Sequence, residues 1–234
     1  EASLSRLATG RSSSVSKDQI RAPLLDTFYE LYLSEETSAR FVARVSGHYL
    51  TGTLARLAVC GARTTRRAAV LAVGFLGNYE CNGVLGHALR DEDRVVRLLA
   101  ENSIRELWLR DGAPEHQHRA RHLVRLNDCG RFDEAVREAS QLTGEADGFA
   151  EVWNQRAVAY FQLSEYRKSL SDCKQTICRN PFHFPCAIGM GHCYLELHEP
   201  SAALECFRWA LEVNPDLENV RVQVNYLQRA LEGH

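Results

Sequence analysis

Three histidines, His116, His118 and His122, form the densest group of candidate metal ligands in the chain. His118 and His122, four apart, share a face if the segment is helical. The zinc-protease arrangement needs Glu directly after the first histidine, and Arg119 stands there, so a solvated helix surface is the simpler expectation. Arg63, Arg66 and Arg67 form a cationic cluster suited to phosphate or nucleic acid. Against that, 28 Lys plus Arg face 30 Asp plus Glu, a net charge of −2 without the basic excess of nucleic-acid domains. Arg66 is therefore expected to pair with acids. The 8 cysteines contain no Cys-x-x-Cys pair, and Cys173, Cys193 and Cys206 lie in helical patterns, where a small apolar side chain packs well. Buried free thiols are expected rather than disulfides or a metal centre, which points to the cytoplasm or an organelle interior.

Other chemistry finds no support. Gly74-Phe75-Leu76-Gly77 and Gly189-Met190-Gly191 sit in helical patterns without a Lys-Ser after them or a strand before them, so they read as close-packing points and not phosphate loops. No Gly-x-Ser-x-Gly elbow occurs. The expectation is a non-enzymatic protein without a cofactor. No apolar run approaches the roughly 20 residues that span a bilayer, so membrane insertion is not expected.

The elements that must carry any function announce themselves by repetition. Trp153, Ala157, Tyr160, Ser169, Cys173 and Pro181 recur at an offset of 34 as Ala187, Gly191, Tyr194, Ala203, Phe207 and Pro215. A fixed period of this size marks stacked helical hairpins, each burying its apolar face against its neighbours. In unit 150–183, Val152 to Leu163 and Tyr166 to Cys178 make two helices joined at Ser164-Glu165, and small Ala157 and Ser169 let them approach. Pro181 lacks an amide donor and disfavours helix at Asn180, which separates this unit from the next, 184–217. Trp153, Ala157, Tyr160, Tyr166 and Pro181, followed by Gly191, Tyr194, Ala203, Phe207, Ala210 and Pro215, resemble the tetratricopeptide repeat (TPR). A more divergent unit, 116–149, has Leu123 and Leu126 in its first helix, Gly130 in its turn and Ala135, Ala139 and Leu142 in its second. Val220, Val224, Leu227 and Leu231 at helical spacing predict a capping helix over 219–234.

The front of the chain has another period. Thr65-Arg66, Ala69, Ala72, Val73 and Leu76 correspond to Val96-Arg97, Ala100, Ser103, Ile104 and Leu107 at an offset of 31. Between them Asp91 and Asp93 suit an inter-helix turn and the positive end of the next helix, with Arg97 reaching back to Asp91. This pattern resembles the HEAT-like repeats of phycobilisome-lyase-type proteins and is assigned to 20–111. Arg21 to Cys60 is expected to add one more helical pair. Residues 1–19 are Ser-rich and read as a flexible arm. The fold expected is all-α: a right-handed α-solenoid of HEAT-like hairpins, a hinge at Gly112-Ala113-Pro114, three TPR units within 112–218 and the cap.

In TPR arrays the first helix of each unit lines a concave groove. Carried onto this chain, that register puts Ala120, Val124 and Asn127, then Asn154, Val158 and Phe161, then Ile188, His192 and Leu195 in the groove, flanked by Glu151 and Gln162. The partner-binding residues expected are therefore Asn127, Glu151, Asn154, Val158, Phe161, Ile188, His192 and Leu195. The resemblance implies an adaptor or assembly scaffold that holds a protein or peptide segment, as part of a larger complex. Nucleic-acid binding through Arg63, Arg66 and Arg67 is the first alternative, and a metal-dependent enzyme using His116, His118 and His122 the lesser one. Chaperone-binding TPR domains share a Lys, Asn and Arg clamp for a C-terminal carboxylate. The matching positions here are Ala120, Val124, Asn154, Pro185 and Gly189, which disfavours that ligand.

Overall fold

A computed structural model describes residues 23–233; the Ser-rich segment 1–19, expected to be a flexible arm, and the first residues of the region expected to be HEAT-like lie outside the described residues. Among the described residues there are thirteen α-helices and no strand. The first six are α1 (Leu24–Glu35), α2 (Ser38–Ser46), α3 (Thr51–Cys60), α4 (Arg63–Leu76), α5 (Asn82–Ala88, after a 3-10 turn at Tyr79–Cys81) and α6 (Arg94–Trp108). Then come α7 (Pro114–Asp128), α8 (Phe132–Glu145), α9 (Ala150–Gln162), α10 (Tyr166–Arg179), α11 (Phe184–Glu196), α12 (Pro200–Val213) and α13 (Glu218–Glu232). No helix of the described residues is long and apolar enough to cross a membrane.

From α8 onward the helices start on a strict beat. Phe132, Tyr166 and Pro200 open α8, α10 and α12, while Ala150, Phe184 and Glu218 open α9, α11 and α13, and both series advance by the offset read from the sequence. The small residues do what their spacing promised. Ser169 Oγ donates to the Ala157 carbonyl at 2.8 Å where α9 crosses α10. At the equivalent crossing a Cβ on Gly191 would lie 2.4 Å from the Phe207 ring, so only glycine lets α11 and α12 meet there. Arg156 adds a bidentate pair to Asp172 at 2.7 and 2.8 Å, tying α9 to α10.

The hairpin turns are one motif used three times. Gly130, Ser164 and His198 have φ of 72°, 62° and 59°, and the next amide in each case bonds back across the turn: Arg131 to Leu126, Glu165 to Tyr160 and Glu199 to Tyr194, all at 2.8 Å. This is the Schellman ending, whose left-handed residue is ordinarily glycine. Two of the three turns here carry a Cβ.

The front of the molecule is held differently. Its central helix, α4, packs on α3, α6 and α1. A Cβ at Gly74 would lie 2.1 Å from Ser103 Oγ, so Gly74 is a close-packing point as expected, whereas Gly77 stands just past α4 in extended backbone, where a Cβ would lie 2.6 Å from the Val73 carbonyl of that same helix. Gly189 is not a close-packing point: a Cβ there meets nothing within 4 Å. The segment expected to give one helical pair before Cys60 contains three helices, because the break over 47–50 leaves α2 and α3 separate. Arg110 closes the end of α4, its guanidinium donating to the carbonyls of Gly74, Phe75 and Gly77. A cation there satisfies orphan carbonyls at the negative end of the helix.

The two halves pack on each other across the Gly112-Ala113-Pro114 junction. The Trp108 indole stacks on His183 with ring centroids 4.2 Å apart and donates from Nε1 to Asn82 Oδ1 at 2.8 Å. Asn82 Nδ2 in turn donates to Asn180 Oδ1 at 2.9 Å. Gly86 admits the Phe182 ring, and Arg97 Nε reaches Asp216 Oδ2 at 2.8 Å. One buried apolar cluster accordingly includes residues of both α1–α6 and α11–α13.

Candidate functional site

The cationic cluster is consumed by carboxylates. Arg66 donates to both oxygens of Asp91, at 2.8 and 2.9 Å, and to Glu92 at 2.9 Å. Arg67 grips Asp93 at 3.0 and 2.6 Å, and Arg63 stands 3.8 Å from the same carboxylate. Asp93 also caps α6, accepting from the amides of Val95 and Val96 at 2.9 and 3.2 Å. The Arg67 hydrogen bonds, aided by these amides, lower its carboxyl to a pKa of about 2. Arg97 does reach Asp91, but at the backbone carbonyl, because Arg66 already holds the carboxylate.

The histidine group does not converge on a metal. His122 Nε2 faces Glu138 at 3.6 Å and His118 is exposed; among the described residues no group of three or more His, Cys, Asp or Glu could hold an ion. Of the cysteines, Cys173 and Cys193 are buried and Cys206 half-buried, whereas Cys60, Cys129 and Cys178 are exposed, contrary to the expectation of buried thiols throughout. Burial raises the Cys193 and Cys206 thiols to about 11 and pushes Cys186 up as well, so these sulfurs stay protonated and act as apolar packing atoms.

An open cleft of about 180 Å³ lies between α9 and α11. Val158, Phe161 and Gln162 form one wall, Pro185, Gly189 and His192 the other, with Asn154 and the small residues of the crossing beneath. Its floor offers little unspent polarity: Ser169 Oγ is given to Ala157, Cys193 Sγ lies 3.3 Å from Ser169 Oγ, and Cys186 Sγ lies 3.5 Å from the Cys173 carbonyl. Burial lowers the His192 pKa against the pull of Glu196, so the imidazole is neutral near pH 7. The lining contains no charged side chain. Small-molecule sites typically occupy about 300–1,000 Å³, so this cleft is sized for one large side chain and not a cofactor.

Asn154, Val158, Phe161 and His192 of the expected site thus meet in one cleft. Ile188 joins His192 in a second cleft beside α13. Asn127 lies apart, donating from Nδ2 to the Gln155 carbonyl at 2.9 Å and to Gln155 Oε1 at 2.8 Å, which ties α7 to α9. Leu195 is half-buried against the core, and Ala120, read as outward, is fully buried. Glu151 is buried too. Its Oε2 accepts from His183 Nε2 at 2.9 Å, and its Oε1 accepts from Gln155 and Asn154 at 2.6 and 3.0 Å. His183 Nδ1 accepts from the Cys186 amide at 3.1 Å, capping α11 and leaving the ring proton on Nε2 for Glu151. Burial alone would raise the Glu151 carboxyl, but these hydrogen bonds outweigh it and hold it below the ordinary value.

The reading from sequence missed Ala157, Ser169, Cys173 and Cys186 as lining residues, whereas Pro185 and Gly189, read as the positions of a carboxylate clamp, do line the cleft. Among the described residues, the N-terminal half contributes nothing to the lining of this cleft. Arg105, Glu106, Trp108 and Leu109 instead wall a third cleft, of about 200 Å³, above Glu151 and Asn154.

No protein-family model matches the chain. It is 31% identical over 86 residues to a TPR repeat-containing protein of Rhizobium etli, a match covering 37% of this chain and 42% of that one. Over 89 residues it is 28% identical to tetratricopeptide repeat protein 12 of Homo sapiens, covering 38% of this chain and 13% of that one. The matched segment is therefore less than half the length of either relative. Among solved structures, the TPR2AB-domain:pHSP90 complex of yeast Sti1 aligns with 87% of this chain and 88% of its own at 17% identity and a TM-score of 0.44. The chain is similar in sequence, over the part of its length that the two relatives match, to tetratricopeptide-repeat proteins.

Proposed function

We propose that the chain is a protein-interaction module, an adaptor or assembly scaffold that holds a protein segment in the groove between the first helices of its TPR units. On this reading 20–111 is a HEAT-like region, 112–218 a TPR domain with units 116–149, 150–183 and 184–217, and 219–234 the cap. The observation that carries it is the uncharged cleft where Val158, Phe161 and His192 converge, open to solvent in a protein whose other polar side chains are heavily paired. Val158 is 38% exposed at its mouth. An exposed apolar concavity loses water on receiving an apolar side chain, and that favours association. The similarity to TPR proteins supports the same conclusion, as does the absence of any cation from the cleft, which argues for an apolar anchor over a terminal carboxylate.

Short random peptides selected by display on the wild-type protein, then titrated by calorimetry against wild type and Val158→Glu, test this. The selected peptides should carry a large aliphatic or aromatic residue. Val158→Glu, whose circular dichroism should match wild type because the position is exposed, should weaken binding by roughly ten-fold or more. Equal affinity for both proteins would remove the cleft from the account.

A further inference from the structure

Helix α13 is the last of the described helices, and its exposed surface divides into two unlike strips. One period after Gly191 and Tyr194, where α11 receives its second helix, stand Asn225 and Gln228. Polar residues there suit a helix that carries no further partner on that side. One period after Ile188, His192 and Leu195, the expected groove positions of α11, stand Val222, Tyr226 and Arg229. Val222 and Tyr226 are 67% and 71% exposed. A lid gains nothing from large apolar groups facing water, and the buried side of α13 is already supplied by Val220, Val224 and Leu227. Leu231, expected among them, is 44% exposed instead. On the helix surface Val222 and Tyr226 stand one turn from Asn219 and Gln223. His192 lines both the Val158–Phe161 cleft and a larger one of about 590 Å³, whose other wall includes Asn219 and Gln223 of α13 together with Asp216 and Glu218 at the start of that helix, of which Glu218 is held by Arg221 and Asp216 by Arg97.

We propose that α13 is the last binding helix of the groove as well as its cap, and that the ligand is a protein segment with two apolar anchors followed by a carboxylate. One anchor enters the Val158–His192 cleft, the second lies on Val222 and Tyr226, and the carboxylate meets Arg229. The proposal rests on the groove reading above. Its charge argument is specific. Arg221, about two turns away, is spent on Glu218 at 2.7 Å, whereas Arg229 is exposed and makes no ion pair among the described residues. Neighbouring helices lie about 8–10 Å apart, so two steps from α9 to α13 span roughly 20 Å, or about six residues of extended chain.

The peptides selected on wild type serve as probes in titrations against Val222→Ser/Tyr226→Ser and Arg229→Glu, with sedimentation velocity run on each protein. Both positions of the double variant are exposed, so the fold should persist, and affinity should fall roughly ten-fold. Arg229→Glu should weaken peptides bearing an acidic residue, and affinity should return when that residue is changed to lysine. Unchanged affinity of the double variant beside lost binding in Val158→Glu would leave the groove standing and reduce α13 to a lid. Loss in neither variant would sink the groove itself. A wild-type dimer that dissociates in Val222→Ser/Tyr226→Ser would assign the strip to contacts between copies of the chain, and would overturn the proposal.

Discussion

The front six helices and the seven behind them solve the same packing problem with different materials. In α1–α6 the inter-helix turn is built from charge: Asp91, Glu92 and Asp93 meet Arg66 and Arg67, and Arg110 closes the end of α4. In α7–α13 it is built from geometry, with one left-handed turn in each of three hairpins and a small-residue crossing at α9–α10 and α11–α12. A region that spends its charges internally keeps little chemistry for a partner. A region that packs by shape can leave an uncharged face open. The candidate groove lies in the second region, where Val158, Phe161 and His192 wall an uncharged cleft.

The sharpest way to break this contrast is to cut the contact that makes the regions one body. Trp108 is almost fully buried between them, stacked on His183 and edge-on to Phe184. Trp108→Ala removes the ring and leaves Asn82 and the buried His183–Glu151 pair short of cover. The expected cost is about 3–5 kcal/mol. Urea unfolding followed by circular dichroism should show the single wild-type transition weaken and split as the halves uncouple. A single transition at the wild-type midpoint would mean that the halves do not depend on this contact.

The charged turn comes next in size. Asp93→Ala deletes the α6 cap and both hydrogen bonds from Arg67, while Arg67 remains partly solvated and recovers some hydration. A loss of about 2 kcal/mol is expected, larger than the 0–1 kcal/mol of an ordinary surface pair, because the carboxylate also serves two amides. Acid titration reads the same group. Its folded pKa, about 2, is below the unfolded value of about 4, so its contribution is complete above pH 4 and is lost as pH falls through 2. Glu151 is shifted in the same direction and adds to the same acid limb. Asp93→Ala should therefore flatten stability against pH between about 4 and 2, and an unflattened curve would show that another carboxylate carries it.

The sequence foretold the second region better than the first. A period needs no knowledge of partners: Ala157, Ser169, Gly191 and Phe207 announce a crossing because each helical hairpin contacts its neighbours in sequence. The cleft was readable as far as Asn154, Val158, Phe161 and His192, because they share one face of successive first helices. Glu151 was misjudged because its environment depends on His183 and Trp108, which reach it from elsewhere in the chain. Burial set by such distant contacts leaves no local pattern. Arg97 shows the same limit, since the Arg66 that claims the Asp91 carboxylate comes from a separate helix, α4. Val222 and Tyr226 were hidden by a different cause: reading α13 as a cap directs attention to its buried stripe and away from its place on the repeat's beat.

The smallest effect tests the geometry of the beat itself. Gly130, Ser164 and His198 occupy one left-handed position in three equivalent turns, and only the first has the residue that position favours. A side chain there costs roughly 1–2 kcal/mol of backbone strain, while glycine loses about 0.5–1 kcal/mol more conformational freedom on folding. The difference predicts that Ser164→Gly and His198→Gly each stabilise the protein by about 0.5–1 kcal/mol, and that Gly130→Ala destabilises it by a similar amount. Because the three sites are in separate turns, the two stabilising changes should add within about 0.5 kcal/mol in thermal unfolding. If Ser164→Gly instead destabilised the fold, the hydroxyl would be making up the strain locally. The three turns would then be alike in backbone but not in what holds them, and the contrast between a region built on charge and one built on shape would be weaker than the geometry implies.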